Sequence, residues 1–194
     1  GVTVDELTES GVVVDGETLT ADVVVVGVGV VPTTQWLSDS GLELNDGIVC
    51  DEMLCAADGV YAAGDVARWT NPLFGEEMRI EHWTNAAEQG ALAAENLLAT
   101  VAGQNPQPYA PVPFFWSDQF DQRIQFLGRS ASDDEVVVGA GSVADGKLLA
   151  LYGRNGKLHG AFGLNAPRWV MPMRKLLMAQ ASWDEALAHA ADLS

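Results

Sequence analysis

The rhythm of hydrophobic and polar positions divides the chain into three stretches. In the first, short β-branched runs alternate with turn residues. Gly11-Val-Val-Val-Asp15-Gly16-Glu-Thr-Leu19 reads as a hairpin, Asp-Gly supplying the positive φ of a type I′ turn. The unbroken valine run at 23–26 predicts a strand buried on both faces. Residues 33–40 read as a short helix closed by Gly41, and 47–50 and 59–63 as two further short strands. The second stretch, 85–99, is helical. Asn85 is its candidate N-cap, with Glu88 three residues on completing a capping box. Its many small residues, Ala86, Ala87, Gly90 and Ala91 among them, admit another backbone or a flat ligand, or simply reflect alanine's helix propensity. Proline, glycine and glutamine then make 103–113 a linker, and a domain boundary is expected there. The third stretch is an antiparallel meander, with strands at 123–127, 135–140, 147–152 and 158–162. Asp145-Gly146 and Asn155-Gly156 form two of its turns. Helices follow at 167–180 and 183–191, the latter opened by a capping box of Ser182 and Glu185.

Composition narrows the function classes. Of 194 residues, 48% are hydrophobic and 19% charged, with six tryptophans, which is a globular composition. The longest apolar run, 23–31, is about half of what a membrane-spanning helix needs. No basic-then-apolar leader opens the chain, so a cytoplasmic protein is expected. A net charge of −17 disfavours nucleic acid and anionic membranes as partners. That charge is uneven. Up to Asn105 the only cations are Arg68 and Arg79, against 18 acids. From 146 to 175 there are six bases, Lys147, Arg154, Lys157, Arg168, Arg174 and Lys175, and no acid. This run is either a solvated basic surface or a docking face for an acidic partner.

Two stretches carry candidate chemistry. Ala21 to Pro32 reads ADVVVVGVGVVP, a strand running into G-x-G as a dinucleotide fingerprint does. The third glycine position of such a fingerprint is Pro32 here, which has no N–H for a phosphate and holds Val31 extended. The stretch therefore imitates a nucleotide turn without being one. Gly59-Val-Tyr-Ala-Ala-Gly-Asp-Val-Ala67 reads as a buried strand whose small residues deliver Asp65 at its exit. Asp65 is then either a plain helix cap or a carboxylate that accepts hydrogen bonds from a polyol or ribose.

This second stretch resembles the second flavin-binding motif of the two-dinucleotide-binding flavoprotein reductases. In that superfamily the A-x-G-D aspartate holds the ribityl chain of FAD, which implies a flavin contact for Gly64, Asp65 and Val66. The helix start beside it would offer N–H groups and a positive dipole end to the flavin N1/O2 edge. Arg79-Ile-Glu-His-Trp-Thr-Asn-Ala-Ala-Glu-Gln-Gly90 is similar to the segment that closes over the pyrimidine side of the flavin. It occurs in bacterial ferredoxin reductases, rubredoxin and putidaredoxin reductases and apoptosis-inducing factor. The resemblance puts Glu81 near the nicotinamide carboxamide, and His82 and Trp83 near the flavin. Phe114-Phe-Trp-Ser-Asp-Gln119 resembles the signature that opens the C-terminal interface domain of the same reductases. It implies Trp116 at the dimethylbenzene edge of the flavin. Cys50 and Cys55 have the spacing of the redox disulfide in glutathione-reductase-like enzymes but the wrong context, and are expected to be reduced, partly buried thiols.

The expected fold class is thus α/β plus α+β. It comprises the back part of a two-dinucleotide-binding-domain flavoprotein, with strands and one long helix, followed by an antiparallel sheet with two helices. Residues 1–31 are expected to end the NAD-binding domain, 32–105 to belong to the FAD-binding domain, and 106–194 to form the interface domain. No dinucleotide fingerprint occurs, so the chain reads as a C-terminal fragment. The resemblance implies an enzyme using FAD and NAD(P)H to reduce a [2Fe–2S] ferredoxin that serves an oxygenase or cytochrome P450, with the basic run as docking face and a homodimer as a compatible assembly. No residue need act as general acid, base, nucleophile or metal ligand. Alternatives are an NADH oxidase, an apoptosis-inducing-factor-like or nitrite-reductase-like flavoprotein, or, for the isolated chain, a scaffold or dimerisation module.

Overall fold

The computed structural model describes residues 2–193. Its chain divides into two compact units, Gly1–Val31 and Pro32–Ser194. The first is a three-stranded antiparallel meander of β1 (Val4–Thr8), β2 (Gly11–Val14) and β3 (Glu17–Thr20). The turn between β2 and β3 carries Asp15 at φ 51° and Gly16 at φ 78°, the two positive angles expected of the Asp-Gly pair. The valine run at 23–26 departs from expectation. It forms no strand, and Val25 is 89% exposed. A doubly buried strand needs a ladder partner and a layer packed on each face, and among the described residues this run has no ladder partner and stays exposed.

The second unit begins with a 3₁₀ turn, Gln35–Leu37, where a fuller helix was expected. It continues through β4 (Ile48–Cys50), β5 (Cys55–Ala57), β6 (Val60–Tyr61), a 3₁₀ turn at Gly64–Val66, β7 (Ala67–Asn71), β8 (Glu76–Arg79) and α1 (Trp83–Val101). β4 runs parallel to β7, and β8 pairs antiparallel with the other edge of β7. The predicted buried strand at 59–63 shrinks to two residues in a hairpin with β5. Trp69, Leu54 and Ala67 centre this core.

Helix α1 starts earlier than its sequence implies, at Trp83, and its N-cap position His82 makes no side-chain cap. Asn85 lies inside the helix and Glu88 faces elsewhere, because both answer to a tertiary partner. The Tyr109 hydroxyl donates to Asn85 Oδ1 (3.1 Å) and Glu88 Oε2 (3.2 Å), while Asn85 Nδ2 donates to the Ile80 carbonyl. The proline-rich segment is likewise no free tether. Asn96 donates to Met53 O and Gln107 O and accepts from Gln107 N, and Trp69 Nε1 donates to Tyr109 O. A buried asparagine with three bonds satisfied fixes that segment along α1.

The remainder is a five-stranded antiparallel sheet in the order β11-β12-β13-β10-β9. Its strands are β9 (Phe114–Gln119), β10 (Gln122–Gly128), β11 (Glu135–Ser142), β12 (Lys147–Arg154) and β13 (Lys157–Leu164). Helices α2 (Pro167–Met178) and α3 (Trp183–Ala191) cover it, and the Ser182–Glu185 capping box is present in full. They sit close because the sheet is notched. A Cβ on Gly163 would lie 2.0 Å from Val170 Cγ2, and one on Gly153 within 3 Å of the Trp183 ring. This is the architecture expected from the sequence, an α/β portion followed by an antiparallel sheet with two helices.

Phe74, in the β7–β8 turn, packs against both cores. The turn is held by Gln180 Nε2, which donates to Leu73 O (2.8 Å), and by an ion pair of Glu76 with Arg154 (2.7 Å).

Candidate functional site

Three segments far apart in sequence build the site. The first is the turn Gly64–Val66, where φ of +79° requires a glycine at position 64. It is gripped through its backbone. Gly64 N–H donates to Gln89 Oε1 of α1 at 2.8 Å, and the Asp65 carbonyl accepts from Arg79 Nη1 at 3.1 Å. Below it, Gly47 must lack a side chain, since a Cβ there would meet Val66 O at 2.6 Å. Asp65 is not a helix cap. The turn is preceded by Ala63 with no side-chain cap, and among the described residues the Asp65 carboxylate has no hydrogen-bond or ion-pair partner. The carboxylate is presented rather than consumed.

The second segment is the start of α1 and the third is β9. Glu81, His82, Trp83 and Thr84 line one side of a cleft of about 370 Å³, and Phe114, Phe115 and Trp116 the other. Sequence reasoning named Glu81, His82, Trp83 and Trp116, and the fold brings all four to one place. The His82 ring lies 5.3 Å from that of Phe115, and Phe114 stacks on Trp116 at 5.6 Å. Trp83 lines this cleft while 88% exposed. Burial, followed by the charge of Arg129, pushes the His82 imidazole below its ordinary value, so it is neutral at pH 7. Its buried Nδ1 has no partner. The uncapped first turn of α1 adds free amide N–H groups and the positive end of a 19-residue helix. Asp65 belongs to the same neighbourhood, its charge acting on His82, and a Cβ on Gly64 would touch Ala86 of α1 at 3.6 Å.

An aromatic-walled cleft with an orphaned imidazole nitrogen, free helix amides and an unspent carboxylate beside it fits a flat, polyol-bearing cofactor better than a metal. Among the described residues no cluster of metal-ligating side chains occurs. Sequence reasoning assigned no role to Arg79, Asp46 or Gln89. The available signals were that Arg79 and Gln89 stand within the 79–90 motif and that Arg79 is one of two cations before Asn105.

The other residues named from the sequence do not line this cleft. Arg154 is not a free surface cation, because it pairs with Asp134 (2.6 Å) and Glu76 (2.7 Å). Lys147 lies 3.8 Å over the Trp169 ring, and Lys157 donates to Gln180. Cys50 and Cys55 are free thiols, and burial pushes Cys50 up to about 11. Cys55 is raised too, by burial and then by the charge of Asp51. Among the described residues no helix is long and apolar enough to cross a membrane.

Fold and cleft together resemble the back part of a flavoprotein reductase such as putidaredoxin reductase. The family comparisons agree: residues 1–90 match the model of the pyridine nucleotide-disulphide oxidoreductases, and 114–194 that of the reductase C-terminal domain, leaving only 91–113 between them. The chain thus carries a pyridine nucleotide-disulphide oxidoreductase match followed by a reductase C-terminal one. It is 38% identical over 166 residues to the ferredoxin–NAD(+) reductase component of an anthranilate 1,2-dioxygenase system from Burkholderia cepacia, covering 84% of this chain and 39% of that protein. Among solved structures it resembles Fdr9 (40% identity, TM-score 0.86, 95% of this chain, 48% of that one). It also resembles the ferredoxin reductase for the CYP199A2 system of Rhodopseudomonas palustris (35%, TM-score 0.76, 98% and 50%). A third likeness is to putidaredoxin reductase in its covalent complex with putidaredoxin (26%, TM-score 0.80, 100% and 49%). The chain thus spans about half the length of these solved relatives.

Proposed function

We propose that this chain is the cofactor-closing and interface part of an FAD-dependent NAD(P)H:ferredoxin reductase. Its electrons would go to a [2Fe–2S] carrier serving an oxygenase or cytochrome P450. The supporting observation is the cleft itself, where the start of α1 and strand β9, some thirty residues apart, meet beside the unpaired Asp65 carboxylate. The chemistry that bound FAD would supply is acceptance of a hydride from NAD(P)H and release of electrons one at a time. The chain's own residues bind and orient. Asp65 accepts hydrogen bonds from ribityl hydroxyls, and the amides of the first turn of α1 favour negative charge on the pyrimidine side. Glu81 receives the carboxamide of the nicotinamide, while Trp83, Phe115 and Trp116 exclude water. In this reading 1–31 close an NAD-binding domain, 32–105 belong to the FAD-binding domain and 106–194 form the interface domain.

The names of the relatives, reductases for a dioxygenase, a P450 system and putidaredoxin, support a ferredoxin as acceptor. With Arg154 internally paired, the docking face comprises Lys147, Lys157, Arg168, Arg174 and Lys175. In this reading the protein is cytoplasmic, with reduced cysteines, and compatible with a homodimer, which sedimentation tests. The test uses the full-length protein: a flavin absorbance spectrum, bleaching on anaerobic NADH titration, and faster turnover with ferredoxin than with oxygen. A well-folded preparation without flavin refutes the proposal. Preference for oxygen would move the protein to the NADH oxidases.

A further inference from the structure

Both cations that precede Asn105 lie in one charged network beneath the site. Arg79, its side chain 11% exposed, engages Asp46 with a two-toothed grip, Nε to Oδ2 and Nη2 to Oδ1, each at 3.2 Å. Its remaining terminal nitrogen, Nη1, reaches two groups at once: the Asp65 carbonyl at 3.1 Å and Oε1 of Glu81. Asp46 sits in a tight turn at φ 46° and is also approached by Arg68 at 3.6 Å, which in turn pairs with Glu77. The neighbouring Gly47 leaves the room that the Arg79 stem occupies, since a Cβ there would meet its Cδ at 3.1 Å.

We infer that Arg79 is a positioning residue that holds Asp65 and Glu81 in one fixed relation, so that the polyol side and the nicotinamide side of the site are set by a single guanidinium. This rests on the proposed flavin and nicotinamide roles of those two residues. The Gly64–Val66 turn and Glu81 share no direct hydrogen bond, so Nη1 is their common link. The link consumes only the backbone of Asp65 and only one oxygen of Glu81. The Asp65 carboxylate and Glu81 Oε2 stay without a protein partner among the described residues, and both remain available to a ligand. Lysine cannot reproduce this arrangement, because it offers a point charge where the site uses a rigid planar fork.

The experiment is a double-mutant cycle in the full-length holoenzyme with Arg79→Gln and Glu81→Gln, reading KM for NADH, kcat and flavin release on dialysis. Loss of a charge-assisted bond to the positioned group predicts a rise in KM of about tenfold for each single variant with kcat less affected. The double variant should be no worse than the worse single, since both remove the same interaction. Arg79→Gln alone should also hasten flavin release, through Asp65. Independent effects that multiply to about a hundredfold overturn the inference, as does an unchanged KM in either single variant. If Arg79→Gln does not fold, Asp46→Asn, which weakens the grip without removing the guanidinium, replaces it: a smaller rise in KM with faster flavin release is expected, and unchanged KM and flavin release overturn the inference. Failure of the underlying flavin reading shows separately, as wild-type protein without a flavin spectrum.

Discussion

Replacing Arg154 with leucine tests how the β7–β8 turn is fastened to the C-terminal sheet. The guanidinium donates to Asp134 through Nε (2.6 Å) and Nη2 (3.2 Å), and to Glu76 through Nη1 (2.7 Å). The Asp134 side chain is 0% exposed, whereas those of Arg154 and Glu76 are 22% and 30% exposed. Removing one partner from a buried pair costs about 3–5 kcal/mol, and the partial exposure of Arg154 argues for the lower end, about 3 kcal/mol. Burial pushes the Asp134 carboxyl up, but the hydrogen bonds and charge of Arg154, with the Ala131 N–H, bring it below its ordinary 3.8. A lowered carboxyl stabilises the fold above its ordinary value and loses that contribution as pH falls through the folded value. Without Arg154 only burial and the Ala131 bond act strongly on Asp134, so the variant regains stability as the carboxyl takes up a proton. His159 works in the same direction, being held below 6.5 by burial and then by the Arg154 charge. Urea unfolding followed by tryptophan fluorescence should therefore show a gap of about 3 kcal/mol at pH 7 that narrows by pH 4. A gap under about 1 kcal/mol at pH 7, or one of constant size, would refute the reasoning.

Other substitutions probe the site and the sheet. Asp65→Ala should change unfolding free energy by less than about 0.5 kcal/mol, since the carboxylate has no protein partner, yet reduce flavin content of the full-length protein; retained flavin would count against its assigned role. Gly163→Ala forces a methyl into Val170 and should cost about 1–3 kcal/mol, and an unchanged melting temperature would mean that α2 does not sit as described. With Cys50 pushed up to about 11, its thiol should resist alkylation at pH 7.5 until the chain unfolds; rapid labelling of the folded chain would contradict that burial.

How much of this was legible beforehand depended on how local the cause was. The C-terminal meander could be read because Asn155 and Gly156 take their positive φ values from their own chemistry, and Ser182 and Glu185 satisfy each other within one turn. Asn85 and Glu88 carry the same local signature, yet Tyr109, more than twenty residues away, takes both side chains. The valines at 23–26 have strand propensity in full, but propensity becomes a strand only against a ladder partner. Arg154 read as one of six free cations because neither Asp134 nor Glu76, 78 residues distant, is its neighbour in sequence.

The candidate site divides along the same line. Which groups are on offer is written in the residues: the Gly64-Asp65 turn, the Glu81-His82-Trp83 helix start and the aromatic strand with Trp116, each a local motif whose residue types carry its chemistry. Folding brings helix start and aromatic strand to one cleft and leaves the Asp65 carboxylate unspent, which no local motif shows. Long-range packing likewise sets Arg79, Asp46 and Gln89 to hold these parts in place. Those bonds reach across 14 to 33 residues of chain, and no local preference specifies them. They form because burial brings donors and acceptors together away from water, where leaving them unpaired would be costly.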